Sequence, residues 1–180
     1  MPGIDESRSF HPVNIAVLTI SDSRDLASDR SGDRLAEMIA RDGHHLVERD
    51  ILRDEADAIT QRLRDLIANP EVDVVITTGG TGVTGRDVTP EAFEAVMEKK
   101  IEGFGELFRW ISYQKIGTST MQSRALGGVA DGTYLFALPG SPGAVKDAWE
   151  EILHWQLDAR FRPCNLVELM PRLKEHLSAA

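Results

Sequence analysis

The chain has almost nothing with which to staple itself. Its 180 residues include one cysteine, Cys164, which excludes an intrachain disulfide framework and a zinc site built from cysteines alone. No apolar run approaches the roughly 20 residues of a bilayer span, so no membrane partner is expected. The stretch from Met1 to Val13 carries Asp5, Glu6, Arg8 and His11 without an apolar segment, unlike a secretory signal. The expectation is a protein of the reducing cytoplasm. Basic residues are scarce: 20 Lys and Arg stand against 29 Asp and Glu, a net charge of −9. That balance argues against a nucleic-acid partner, which calls for a basic face. It leaves room for a phosphorylated small ligand, because single loops of an acidic protein can be locally positive. Histidine offers little chemistry. His44 and His45 are adjacent and cannot share a metal at helical spacing, and His11, His154 and His176 are scattered. Isolated histidines are expected at the surface, and Cys164 and Trp149 in the core. The sequence has no internal repeat or low-complexity tract.

What is present is alternation. Apolar β-rich runs at Val13 to Ile20, His45 to Leu52, Val72 to Thr78 and Tyr134 to Leu138 read as strands. Between them lie amphipathic stretches. Gly32 to Gly43 carries Leu35, Met38 and Ile39, with Gly43 placed to close the helix. Glu55 to Asn69 carries Ile59, Leu63, Leu66 and Ile67 and stops before Pro70. Thr89-Pro90-Glu91 has the composition of a helix start, with Thr89 as N-cap and Pro90 in the first turn. Helices are predicted at Pro90 to Lys100, Phe104 to Gln114 and Ala144 to Leu157. The tail, 161–180, has Leu166, Met170, Leu173 and Leu177 at amphipathic spacing, interrupted at Pro171. The whole chain, 1–180, reads as one α/β domain. Its predicted form is a three-layer sandwich, a mostly parallel sheet with helices on both faces.

Ligands of such sheets bind beyond the carboxyl ends of the strands, which singles out four loops. They begin at Ser21, Arg53, Gly79 and Pro139. The third, Gly79 to Asp87, has four glycines in seven residues. Glycines let backbone approach a ligand and turn amides toward an anion. Asp87 follows them, placed either to hold a divalent cation against phosphates or to help cap the next helix. The loop is not a Walker loop, since Arg86-Asp87 stands where Lys-Ser/Thr is required. Gly80-x-Gly82-x-x-Gly85 matches the dinucleotide fingerprint, but its last glycine precedes the helix start and no strand-ending acid follows about 20 residues later.

At Thr77-Thr78-Gly79-Gly80-Thr81-Gly82 with Arg86-Asp87-Val88-Thr89-Pro90-Glu91-Ala92, the sequence resembles the MoaB/MogA family of molybdenum cofactor biosynthesis. Gly117 to Ala125 and Ala137 to Ser141 match as well, and the likeness runs from Asn14 to about Asn165. Glu102-Gly103-Phe104-Gly105-Glu106 and Arg162-Pro163-Cys164-Asn165 are similar to the MoaB branch. The resemblance implies adenylyl transfer from ATP to molybdopterin, giving adenylylated molybdopterin and pyrophosphate. It also leaves molybdopterin binding without turnover, and a scaffolding role, as alternatives. It implies Mg²⁺ held by Asp54 and Asp87 as the catalytic acids. Thr78, Gly79, Gly80, Thr81 and Gly82 would bind phosphate, aided by Arg86, with the Gly82 position inside the phosphate space. Ser119, Ser123 and Arg124 would line the pterin side, and Gly140 and Ser141 the last substrate loop. Ser21, Asp22, Ser23, Ser31 and Gly32 would face the nucleotide. A homotrimer or homohexamer is implied, with the apolar tail as added contact surface.

Overall fold

The computed structural model describes residues 2–175. In chain order the elements are β1 (Gly3–Ile4), β2 (Asn14–Ile20), α1 (Arg30–Arg41), β3 (His45–Leu52), α2 (Ala56–Ile67) and β4 (Val74–Thr78). There follow α3 (Thr89–Glu94), β5 (Lys99–Lys100), α4 (Glu102–Ile116), a 3₁₀ turn (Gly117–Gln122), β6 (Leu126–Ala130) and β7 (Thr133–Leu138). Last come α5 (Pro142–Ala148), a π-helical turn (Trp149–Leu153), α6 (His154–Gln156), β8 (Phe161–Arg162) and a 3₁₀ turn (Val167–Arg172).

The main sheet has the order β3-β2-β4-β7-β6-β5. Its first four strands are parallel, and β6 and β5 run antiparallel. From β2 the chain moves outward to β3 and then back past β2 to β4. This reversal makes a switch point between the carboxyl ends of β2 and β4, and all four candidate loops lie on that edge. Alternate side chains along each strand feed two cores. Ile15, Val17, Val74, Ile76, Tyr134 and Phe136 meet α1, α4 and α5 on one face. Ala16, Leu18, Val75, Leu135 and Ala137 meet α2 and α3 on the other. The predicted three layers are therefore present. Trp149, Tyr134, Phe93, Phe108 and Phe136 are no more than 1% exposed, each worth roughly 1.5–3 kcal/mol of burial.

The structure departs from the sequence reading mostly in the second half. The helix expected over Pro90 to Lys100 ends at Glu94, and the chain turns into β5. Strand β6 was not anticipated, because its Leu-Gly-Gly-Val-Ala sequence has poor strand propensity. Its glycines are set by neighbours: a Cβ at Gly127 would stand 3.0 Å from the Phe136 ring, and one at Gly128 2.1 Å from Met97 Sδ. The tail forms no amphipathic helix in its described part. Leu166, Val167, Met170 and Leu173 pack on the protein's own core, and Leu177 and His176 lie outside the described residues. Cys164 is exposed rather than core. His44 is buried rather than superficial, its Nδ1 accepting from the Val13 amide at 3.2 Å, and burial pushes its pKa down.

The predicted helix Ala144 to Leu157 is broken by the π-turn, and Asp42 shows why. A π-turn bonds residues five apart, which brings Trp149 and His154 to the same side. Trp149 Nε1 donates to Asp42 Oδ2 at 2.7 Å, and His154 Nδ1 lies 2.8 Å from the same oxygen. Asp42 follows the last turn of α1 and also accepts from Arg41 at 2.7 Å. Burial opposes its ionisation, but the bonds from Arg41, Trp149 and His154 prevail and hold its pKa down at about 2. Asp42→Ala should cost about 2 kcal/mol in urea unfolding at pH 7, since it leaves the Trp149 indole N–H buried without an acceptor. A depressed folded-state pKa gives stability that is present above the ordinary value of 3.8 and lost as pH falls toward 2. The gap between the two proteins should therefore narrow below pH 4. Equal stability at pH 7 would show that the clasp contributes nothing.

Candidate functional site

The four loops surround a cleft of about 600 Å³ at the carboxyl edge of the sheet. Its floor is the turn after β4. Gly79 has φ +110°, and a Cβ there would lie 2.1 Å from the Ile20 carbonyl oxygen at the end of β2. Its amide donates to Leu138 O of β7 at 2.9 Å. Gly80 has φ +64°, with Thr89 Oγ1 where a Cβ would stand. Only glycine meets both demands, left-handed backbone and no side chain. Gly140 completes the contact, its absent Cβ 3.2 Å from Gly79 Cα. Thr89 was expected to cap α3, yet Val88 occupies the cap position without a side-chain bond. The Thr89 hydroxyl instead donates to Gly79 O at 2.9 Å, and its amide donates to Gly80 O at 3.0 Å. Both carbonyls are drawn away from the cleft. In a planar trans peptide the following amides, those of Gly80 and Thr81, point the opposite way.

Around this floor stand the other expected residues. Thr78, Thr81, Arg86, Ser21, Ser23, Ser31, Ser119, Ser123, Gly140 and Ser141 all border the cleft. Thr78 Oγ1 donates to Pro139 O at 3.0 Å, tying the third loop to the last. Ser141 caps α5, its Oγ accepting from the Ala144 amide at 3.2 Å. Three expected contacts lie elsewhere. Asp22 faces Arg86, accepting from its Nε at 3.0 Å and Nη2 at 2.8 Å, while Glu55 takes the other edge of that guanidinium at 3.3 Å. Gly32 is buried inside α1, its amide donating to Asp29 Oδ1 at 2.9 Å. Arg124 stands behind the glycine loop. Gly82 has no left-handed backbone, and a Cβ there would meet the Asp87 carboxylate at 2.7 Å rather than open phosphate space.

The two candidate acids differ in environment. Asp87 closes the glycine loop on itself: its Oδ2 accepts from Thr84 N at 2.8 Å and Thr84 Oγ1 at 2.7 Å. Burial raises its pKa, but these bonds and the Gly82 amide outweigh that and lower it. Its carboxylate thus closes the loop and does not cap α3. Asp54 is half-buried, and its carboxylate has only a weak bond from the Asp22 backbone and the nearby Arg86 charge to favour ionisation. Burial raises its pKa, with the Asp22 and Asp87 charges adding to the effect against the pull of Arg86. Among the described residues no three His, Cys, Asp or Glu side chains converge to hold a metal.

The family described as the probable molybdopterin binding domain matches residues 16–159. Molybdenum cofactor biosynthesis protein B of Escherichia coli (strain K12) is 46% identical over 169 residues, covering 94% of this chain and 98% of that one. A crystal structure of a Molybdenum cofactor biosynthesis protein B superposes with TM-score 0.84 at 38% identity, over 93% of this chain and 99% of the other. The tungsten cofactor synthesizing protein MoaB from Pyrococcus furiosus superposes with TM-score 0.70 at 36% identity, over 79% and 91%. The chain belongs to the MoaB/MogA family of molybdenum cofactor biosynthesis.

Within this MoaB/MogA chain one structural residue of the site escaped the sequence reading. Asp29 is fully buried and caps α1, accepting from Thr19 Oγ1 at 2.7 Å and pairing with Arg49 at 2.9 Å. The signal was there: an aspartate three residues before the Gly32 amide is an ordinary N-cap. Asp29 thereby fixes Thr19 and Ser31, both on the cleft wall. The glycine geometry gives a paired test. Gly79→Ala combines a left-handed backbone with a clash against backbone and should cost at least roughly 2 kcal/mol. Gly85→Ala meets nothing within 4 Å and should stay within about 0.5 kcal/mol of the parent. Thermal melts of both variants check this; equal losses would mean the loop is held some other way.

Proposed function

We propose that the cleft joins ATP and molybdopterin, transferring the adenylyl group to the terminal phosphate of molybdopterin. A phosphate oxygen of molybdopterin attacks the α-phosphorus of ATP. The bond from that phosphorus to the bridging oxygen breaks, and pyrophosphate leaves. The observation that carries the reading is that the left-handed glycine turn, whose carbonyls are taken by Thr89, lines the same cleft as the Asp54 carboxylate, with Asp54 Oδ1 2.9 Å from where a Gly80 Cβ would stand. Amides turned toward an anion stabilise phosphate charge that grows in the transition state. Hydroxyls of Ser21, Ser23 and Ser141 add donors. Phe108, Ile116 and Ala144 give one wall an apolar surface suited to a ring system. Transfer of this kind rests on positioning and charge neutralisation, and the cleft offers no activated nucleophile of its own.

The acids fit Mg²⁺. Hard cations take oxygen ligands, and Mg²⁺ commonly uses one or two carboxylates together with substrate phosphates. Asp54, raised by burial and by neighbouring negative charge, is a carboxylate short of a cation, and Asp87 lies close enough to repel it. Asp54 and Asp87 would hold the ion. It would supply charge neutralisation for the leaving pyrophosphate.

The test is turnover with purified molybdopterin, ATP and Mg²⁺, read as pyrophosphate release. The parent should be active, and Asp54→Asn should lower the rate on the order of 100-fold or more. Stability separates this loss from misfolding. A raised folded-state pKa means that ionising Asp54 costs stability as pH rises above the ordinary 3.8. At pH 7 the Asn variant should therefore melt at the same temperature as the parent or higher, with the difference vanishing below pH 4. An active Asp54→Asn protein would remove the acid from the mechanism.

We further propose a homotrimer or homohexamer, formed through the outer face of α4 rather than the tail. Leu107, Trp110 and Tyr113 are 42–63% exposed there. Contiguous exposed apolar side chains of this size mark interaction sites. Sedimentation at micromolar concentration should show the oligomer, and Trp110→Glu should give monomers; an unchanged assembly would place the interface elsewhere.

A further inference from the structure

Arg124 borders a second hollow rather than the cleft, and all three nitrogens of its guanidinium bond the glycine loop or the helix after it. Its amide donates to Thr81 O at 2.9 Å. Nε donates to Gly82 O at 2.7 Å, Nη2 donates to Asp87 O at 2.6 Å, and Nη1 pairs with the Glu91 carboxylate. Gly82 and Asp87 are the two ends of one turn. That turn is closed from within by Thr84, whose amide and hydroxyl donate to Asp87 Oδ2 and whose carbonyl accepts from the Asp87 amide at 3.1 Å. A planar guanidinium with donors in a fixed fork grips both ends at once. The residues just before it, Gln122 and Ser123, border the cleft.

We propose that Arg124 is a positioning residue. By holding the carbonyls of Gly82 and Asp87 from behind, it fixes the Asp87 carboxylate at the cleft edge. It also locks the glycine loop to the wall formed by Ser119 to Ser123. It touches no substrate and acts through Asp87. This role rests on the reading of the cleft as an adenylyl-transfer site. The grip itself can be measured apart from that reading.

Two measurements decide it. The first is amide hydrogen exchange in the free protein. Arg124→Ala should speed exchange at Thr84 and Asp87 at least 10-fold while the strands of the sheet keep their protection. Unchanged exchange there overturns the grip, whether or not the protein turns over substrate. The second is a kinetic cycle with molybdopterin, ATP and Mg²⁺. Displacing a reacting arrangement by an ångström can cost about 100-fold. Arg124→Ala should therefore lower kcat about as much as Asp87→Ala, with KM for molybdopterin nearly unchanged. The double variant should be no worse than either single one, because the two side chains act as a unit. Independent, multiplying losses would overturn the coupling. Arg124→Lys keeps the charge but not the fork, and should share the loss of kcat. Full activity in that variant would show that only the charge matters and would likewise overturn the proposal. Glu91→Gln, which removes the outer ion pair alone, should keep parental kcat. An inactive parent protein with faster exchange in Arg124→Ala would defeat the adenylyl-transfer reading and leave the grip intact.

Discussion

The site depends on how closely three strand ends approach one another. At the carboxyl edge of β2, β4 and β7 the chain must leave β4 through a gap bounded by Ile20 O on one side and Leu138 O on the other. Gly79 passes through it in left-handed backbone. A methyl group there would have to displace the end of β2. Because the gap is narrow, the backbone rather than a side chain forms the cleft floor, and its amides are available to a ligand. Thr89 then fixes their direction by taking the carbonyls. The loops that follow β2 and β7 are set against this floor, so their serines reach the same space. One steric constraint thus decides what forms the floor of the cleft.

The acidic side chains divide along the same line. Asp29 is buried and Asp42 half-buried at the two ends of α1, and each is surrounded by donors that hold its pKa down. They serve the fold. Asp87 is held likewise, by the turn it closes. Asp54 is the exception, raised by burial and by two neighbouring carboxylates. A carboxylate raised by burial and like charge, standing in a cleft, is where function is to be sought. Proteins break local rules of charge satisfaction chiefly at such sites.

Legibility followed the locality of the signal. The parallel strands and the helices α1, α2 and α4 could be read from periodicity, since their apolar stripes are written in consecutive residues. The edge carrying the site followed from strand order alone. What escaped reading depended on partners distant in sequence. Strand β6 exists because Phe136 and Met97 fill the space its glycines vacate. The π-turn exists because Asp42, more than 100 residues earlier, binds both Trp149 and His154. Thr89 has the composition of a cap and serves the loop instead. Arg124 sits among cleft residues in sequence but points behind them. In each case residue type was informative and direction was not.

The central claim is that the amides of the glycine loop receive phosphate. Amide chemical shifts of the isotopically labelled protein, titrated with ATP and Mg²⁺, test it most directly. The account predicts the largest shifts at Gly79, Gly80 and Thr81, with smaller ones at Ser21, Ser23 and Ser141. Saturable shifts confined to other surfaces, with residues 79–81 undisturbed, would contradict it.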